Sequence, residues 1–283
     1  MKNKKRLIII EIVLGIAIIA VIIFIVKNVK GQEHEEKQLS TSNQYVVETT
    51  IEQSLSQPTT QKETTKQTAT KPITTSGQSF VEAATIKIDE NKWNLTLLNR
   101  EYKLPDGYVP KTATITLSDN DPRRTEKALS QVLDYRVAPE YQKMYDAAVQ
   151  DGIYLTPYSG YRSISFQKQI FNNYVDMYKK QGYATDAAKY KASMTSLPPG
   201  TSEHNMGMAM DIVNTKNDFE NSKEYAWLET NAQDYGFILR YPKNKTEKTQ
   251  IMHEPWHWRY VGVEAAKALK ASGQCLEEYL GVK

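Results

Sequence analysis

Cysteine is nearly missing from the chain: one in 283 residues, Cys275. That excludes an intrachain disulfide framework and any cysteine-built zinc site. Cys275 lies in a helix-like C-terminal segment and reads as a buried or idle thiol rather than a nucleophile. An excess of one charge is also lacking, since 36 Lys and Arg against 33 Asp and Glu leave +3, much of it at the extreme N-terminus. No dense basic stripe with interleaved aromatics crosses the later sequence, which argues against nucleic acid as a partner. Aromatics are almost absent from residues 31–79, and most of the Tyr and Trp follow Lys92. Thr, Gln, Ser, Glu and Lys dominate there without apolar periodicity, too little to offset the entropy of ordering.

Long hydrophobic runs are scarce as well, and the exception is at the start. Lys2, Lys4, Lys5 and Arg6 precede an apolar run from Leu7 to Val26, broken only by Glu11. Twenty helical residues span roughly 30 Å, the thickness of a bilayer's hydrocarbon core. The basic cluster should stay in the cytoplasm and leave the bulk of the chain outside. A cleaved signal peptide is the competing reading, but its core is usually shorter and no clean A-x-A site follows. No cysteine lies near the run, which excludes a lipoprotein anchor. The expectation is a single-pass cell-membrane anchor over residues 1–30, a flexible tether over 31–85 and one extracytoplasmic domain over 86–283. About 190 residues suffice for one hydrophobic core.

Within the domain, Pro139 opens a helix-like stretch over Glu140–Gln150 that Gly152 ends. A short strand is expected over Ile153–Tyr158, then a longer helix over Ile164–Lys180. That helix puts Phe166, Ile170, Phe171, Tyr174 and Met177 on one face, with Gly182 as its stop. Further helices are predicted over Asp186–Ser193, Lys223–Tyr235 and Val263–Ala271, and Pro198-Pro199-Gly200 enforces a loop. Strands are predicted over Met206–Val213, Phe237–Tyr241 and Trp256–Val261; Val81–Leu97 reads either as a lead-in strand or as more tether. The fold class is α+β, with a small, mostly antiparallel sheet flanked by helices.

Three clusters carry chemistry. In Met206–Val213 the residues alternate: Met206, Met208, Met210 and Ile212 point one way, and Gly207, Ala209 and Asp211 the other. The second face is small except for one carboxylate, which predicts open space for a metal and a substrate backbone. His204 is the natural companion ligand, although an extended chain would hold it roughly 23 Å from Asp211. The two meet only if the chain turns near Asn205–Gly207. By itself His204 reads equally as a ligand or a satisfied polar residue.

The second cluster, His253 to Gly262, begins with a literal H-E-x-x-H. That signature needs a helix, and Pro255 inside one costs about 3 kcal/mol. Proline also pushes Glu254 toward an extended backbone, and Trp-His-Trp-Arg-Tyr-Val then reads as a strand. The alternative makes His257 the third ligand, Glu254 the general base and His253 a bystander. His204, Asp211 and His257 then form a three-ligand zinc set with a position left for water. The third cluster is Ser159-Gly160-Tyr161-Arg162-Ser163, followed by Gln167. Arg162 stands where a strand gives way to a helix, either to hold a substrate carboxylate or oxyanion or to make a structural salt bridge.

Taken together, these motifs resemble the VanY-type D-alanyl-D-alanine carboxypeptidases and the related L,D-carboxypeptidases. The superfamily also contains lysostaphin-type and hedgehog folds. The resemblance rests on S-x-H-x-x-G-x-A-x-D (Ser202, His204, Gly207, Ala209, Asp211), on Glu254 through Gly262 and on Ser159 through Ser163. Softer matches at Leu97–Pro110 and Gly236–Pro242 extend it over Leu97–Gly262. It implies zinc on His204, Asp211 and His257, Glu254 as catalytic base and Arg162 steadying the tetrahedral intermediate. It also implies peptide contacts at Ser159, Gln167 and Ser202. The substrate would be a peptidoglycan stem losing its C-terminal D-alanine. An L,D-carboxypeptidase, a D,D-dipeptidase or an endopeptidase on the same site are alternatives. A non-catalytic wall-binding module is a further one, against which Glu254 and Arg162 argue.

Overall fold

Alternation in one short segment organises the domain. The structure, a computed structural model, describes residues 80–282. Met206, Met208, Met210 and Ile212 are all fully buried, and they lead into the second strand of a four-stranded sheet. The described residues form eight strands: β1 (Ala84–Thr85), β2 (Tyr102–Lys103), β3 (Thr112–Thr114), β4 (Val132–Asp134), β5 (Pro157–Ser159), β6 (Ala209–Ile212), β7 (Phe237–Leu239) and β8 (His257–Tyr260). The main sheet runs β5-β6-β8-β7 and every pairing in it is antiparallel. Two-stranded pairs, β1 with β2 in parallel and β3 with β4 antiparallel, stand beside it.

The helices are α1 (Glu126–Leu129), α2 (Ala138–Gln150), α3 (Ile164–Lys180), α4 (Thr185–Thr195), α5 (Lys223–Asn231), α6 (Thr246–Thr249), α7 (Val263–Ser272) and α8 (Leu276–Tyr279). The predicted limits of α3 hold to the residue. The Ser163 hydroxyl accepts from the Phe166 N–H at 3.1 Å at its start, and Gly182 follows its end at φ 93°. Phe166, Ile170, Phe171 and Tyr174 are buried as expected, with Val175 rather than Met177 completing the face. α2 begins two residues earlier than predicted, at Ala138. It packs Tyr141 edge-on against Phe237 of β7, ring centroids 5.9 Å apart.

The strands are shorter than the sequence suggested. Ile153–Thr156 is not strand because its polar groups bond elsewhere: Leu155 O accepts from Tyr141 Oη at 2.6 Å, and Thr156 Oγ1 donates to Asp121 at 2.8 Å. Met206 belongs to a 3-10 turn over Glu203–Met206 that ends on left-handed Gly207, φ 66°. The chain therefore turns between His204 and Asp211. The small face of this segment is not open, however. A Cβ on Gly207 would lie 2.6 Å from Asp134 N, so β4 occupies the space expected for substrate.

Among the described residues no helix is long and apolar enough to cross a membrane. The apolar run Leu7–Val26 and the tether up to residue 79 lie outside them. At the edge of that tether, Ala84–Thr85 are already paired with Tyr102–Lys103.

Candidate metal centre

Sheet register does the first part of the assembly. Asp211 of β6 pairs with His257 of β8 on one side and with Ser159 of β5 on the other, so the three stand in one row across the sheet. Cross-strand neighbours have Cβ atoms about 5 Å apart, which sets Asp211 beside His257 without help from any loop. His204 arrives from the preceding turn. Its ring meets that of His257 edge-on, centroids 4.8 Å apart.

The SGYRS segment is laced to this turn. Arg162 N–H donates to His204 O at 3.0 Å, and Asn205 Nδ2 donates to Arg162 O at 2.8 Å. Tyr161 N–H donates to Val132 O at 2.7 Å, and Gln131 Oε1 accepts from Gly160 N–H at 2.8 Å. Glycine is required at position 160 because a Cβ would overlap Val132 O.

Each imidazole has one nitrogen fixed by an outer acceptor. His204 Nδ1 lies 2.8 Å from Gly160 O, a carbonyl that can only accept, so Nδ1 carries the proton. His257 Nε2 lies 3.2 Å from Glu203 Oε2, again a carboxylate acceptor. In the neutral rings the other nitrogens present lone pairs, and both point at Asp211 Oδ1: His204 Nε2 at 3.3 Å and His257 Nδ1 at 3.1 Å. Neither contact has hydrogen-bond geometry, and Asp211 Oδ1 is buried with no hydrogen-bond partner. Three buried lone-pair donors facing one another call for a cation.

Spacing agrees. The three ligand atoms lie within 4.8 Å of one another. Tetrahedral zinc with bonds of about 2.0–2.1 Å separates neighbouring ligand atoms by about 3.4 Å; the two imidazole–carboxylate distances, 3.3 and 3.1 Å, are close to that. Two histidines and one aspartate match the ligand preferences of zinc. The residues present fit the ion.

Electrostatics point the same way. Burial and then the Arg162 charge pull His204 down to about 4, so it is neutral and ligand-ready at pH 7. For His257 burial acts downward too, but contacts with Asp211 and Glu203 outweigh it and raise the ring to about 9. Burial would raise Asp211, yet the two imidazoles hold it well below the ordinary carboxylate range. A pocket that draws a proton between two carboxylates offers the same place to a metal ion.

Glu254 lies just before β8, and its Oε2 is 3.7 Å from His257 Nδ1, the nitrogen that faces the ligand set. Burial raises it to about 7, with Asp211 adding and His257 and Arg162 opposing. That is the range for a general base at neutral pH. Arg162 is partly buried between β5 and α3; its Nε is enclosed without a hydrogen-bond partner, and no carboxylate within 4 Å claims it among the described residues. The structural salt bridge considered for Arg162 is absent there.

The remaining predicted residues divide. Ser159 is in the row with Asp211. Gln167 Nε2 donates to Leu197 O at 2.6 Å and lies 3.0 Å from Ser196 Oγ, while its buried Oε1 has no partner. The Ser202 hydroxyl caps the 3-10 turn by accepting from His204 N–H at 3.3 Å. His253 stands outside the set, with Nδ1 2.9 Å from Tyr241 O and Nε2 3.3 Å from Glu220 Oε2.

Sequence reasoning passed over Glu203. It is fully buried, contacts His257 Nε2, and meets Arg240 Nε at 2.7 Å and Arg259 Nη1 at 2.9 Å. The signal was present: a carboxylate directly before His204, and two arginines inside motifs already singled out.

Comparison with known proteins gives the family. A family model described as "VanY: D-alanyl-D-alanine carboxypeptidase" matches residues 130–263. A D-alanyl-D-alanine carboxypeptidase of Enterococcus faecalis is 39% identical over 69% of this chain and 68% of its own length. The putative carboxypeptidase YodJ of Bacillus subtilis is 39% identical over 69% of each chain. Among solved structures, VanYB in complex with D-alanine-D-alanine gives a TM-score of 0.56 at 38% identity, over 68% of this chain and 99% of that one. A VanY variant in complex with Zn(II) gives 0.54 at 39% identity, over 66% and 99%. The LdcB LD-carboxypeptidase gives 0.60 at 33% identity, over 75% and 93%. The chain belongs to the VanY family of D-alanyl-D-alanine carboxypeptidases.

Proposed function

We propose that this chain is a zinc-dependent carboxypeptidase that removes the C-terminal D-alanine from peptidoglycan stem peptides. The observation that carries the reading is the convergence of His204 Nε2, Asp211 Oδ1 and His257 Nδ1, with Glu254 beside them. His204, Asp211 and His257 would hold the ion. When bound, zinc supplies Lewis acidity, bringing the pKa of water to about 7 and polarising a carbonyl. Glu254, raised to about 7, takes a proton from the attacking water and passes it to the leaving D-alanine amine. Arg162, near enough to feel the Asp211 and Glu254 charges, would offer its guanidinium N–H groups to the oxygen on which charge develops. Ser159, Gln167 and Ser202 are the residues we assign to peptide contact, Ser159 standing in the same row of the sheet as Asp211.

The test is to incubate the full-length protein with defined tetra- and pentapeptide stems, with and without a chelator, and weigh the products. Loss of one alanine from the pentapeptide, abolished by chelator, supports the reading. No chelator-sensitive cleavage of any stem would sink it. The likeness to LdcB extends over more of this chain than that to VanYB, which favours L,D cleavage as the second reading; trimming of the tetrapeptide alone would establish it.

The same proposal places the domain outside the cell, tethered by residues 1–30. The support is the basic cluster before Leu7–Val26 and the length of that run. Release of the intact protein by high salt, rather than by detergent alone, would overturn the anchor.

A further inference from the structure

Behind the ligand set lies a buried chain of charges that ends far along the sequence. Glu203 Oε2 accepts a hydrogen bond from His257 Nε2–H at 3.2 Å. Its Oε1 is 2.7 Å from Arg240 Nε and 2.9 Å from Arg259 Nη1. The remaining Arg240 nitrogens, Nη1 and Nη2, are held in a bidentate grip by Glu277 of α8, at 2.9 and 2.6 Å. Side-chain exposure is 0% for Glu203, Arg240 and Arg259 and 4% for Glu277. Two carboxylates and two guanidiniums balance, so the network adds no net charge behind the site.

Stability alone is a poor account of such a network, because well-packed apolar residues often match or exceed a buried ion pair. Geometry accounts for it better. A carboxylate acceptor behind a ligating histidine fixes its tautomer and ring orientation and raises its basicity, provided the carboxylate is itself held still. Here Arg240 and Arg259 hold Glu203, and Glu277 holds Arg240. α8 is seated independently: Lys245 Nζ meets Glu278 Oε2 at 2.8 Å, and Glu278 Oε2 accepts from Cys275 N–H at 2.9 Å. Glu277 lies beyond the stretch matched to the family, residues 130–263.

We infer that Glu277, acting through Arg240 and Glu203, is a positioning residue for the zinc ligand His257, so that the C-terminal helix sets the affinity and geometry of the metal centre. This rests on the zinc reading above and deepens it. Cobalt(II) titration of the full-length protein separates the two, since its visible bands report ligand geometry without turnover. Glu203→Gln should weaken zinc and cobalt binding by about 10–100-fold, and Glu277→Gln by about tenfold, with altered cobalt bands and a lower kcat at little-changed KM. The two changes should be non-additive, as expected of groups in one network. Glu277→Asp, which keeps the charge, should recover part of the loss. Glu277→Gln with unaltered metal affinity and cobalt spectrum would overturn the inference. Should that variant not fold, a folded Glu277→Asp with wild-type affinity and spectrum overturns it equally, because the shorter side chain cannot keep both Arg240 contacts. A wild-type protein that binds cobalt tightly yet cleaves no stem would defeat the carboxypeptidase reading and leave this one standing.

Discussion

Gly207 and Gly273 form a matched pair that separates backbone strain from steric overlap. Both have φ 66°, but a Cβ on Gly273 meets nothing within 4 Å, whereas one on Gly207 would lie 2.6 Å from Asp134 N and 3.2 Å from Leu133 C. Gly273→Ala should therefore cost only the left-handed penalty of an L-residue, about 1–2 kcal/mol. Gly207→Ala adds overpacking against backbone that cannot swing away, about 1–3 kcal/mol more. For a domain of this size about 2–4 °C of Tm accompanies each kcal/mol, giving losses of about 2–8 °C for Gly273→Ala and about 4–20 °C for Gly207→Ala. The comparison belongs in chelator, so that metal binding does not mask the difference. Urea melts supply free energies and thermal scans the Tm. Because Gly207 lies between His204 and Asp211, Gly207→Ala should also weaken zinc binding, and Gly273→Ala should not. Equal losses from the two variants would refute the claim that β4 closes that face.

Glu254→Gln should keep zinc stoichiometry by metal analysis while kcat falls by about 10²–10⁴, the usual worth of a general base; turnover near the wild-type rate would remove Glu254 from its role. Arg162→Lys should retain metal and fold but lower kcat by about 10²–10³, measured by stem-peptide release, and an unchanged rate would return Arg162 to a structural function. Lys127, whose Nζ lies 3.4 Å from the Tyr158 ring centroid, is lowered by burial to about 8 against 10.5, with Asp211 opposing. Between those values the unfolded chain binds more protons than the folded one, so this group makes stability rise with pH above about 8. Urea midpoints at pH 7.5 and 8.5, well below the unfolded tyrosine value of about 10, should show a more favourable pH trend in the wild type than in Lys127→Met; identical trends would discount it.

The sequence was most legible where one residue type has one physical use. Gly182 was legible as the stop of α3 because a glycine ends a helix, and the alternation through Met206–Ile212 picked out Met206, Met208, Met210 and Ile212, all of them buried. Legibility failed where a residue works against its type. Glu203, Arg240 and Arg259 are charged side chains at the centre of the domain, a location that composition argues against and only a partner makes tolerable. The partners are 37 and 56 residues from Glu203 along the chain, beyond any local pattern. Gly207 was read as permitting a turn and opening space, and Gly160 only as part of a motif. Contacts with β4 instead make them points of close approach, and β3 and β4 themselves are three-residue strands too short to show a period.

The H-E-P-W-H segment shows why spacing has no meaning until the backbone is known. Four residues apart on a helix, His253 and His257 would share a face and a metal. Pro255 prevents that helix, and β8 begins only at His257. His253 then bonds to Tyr241 O and Glu220, while His257 takes its metal neighbour from across the sheet, where Asp211 is its register partner. The proline also extends the chain at Glu254, whose N–H donates to Tyr241 O at 3.2 Å and whose carbonyl accepts from His257 N–H at 3.2 Å. The first bond anchors the base to Tyr241, and the second ties it directly to His257, the ligand that opens β8. The base and the ligand are therefore spaced by one tight turn rather than by a helix, and a motif that mimics one metallopeptidase class encodes the geometry of another.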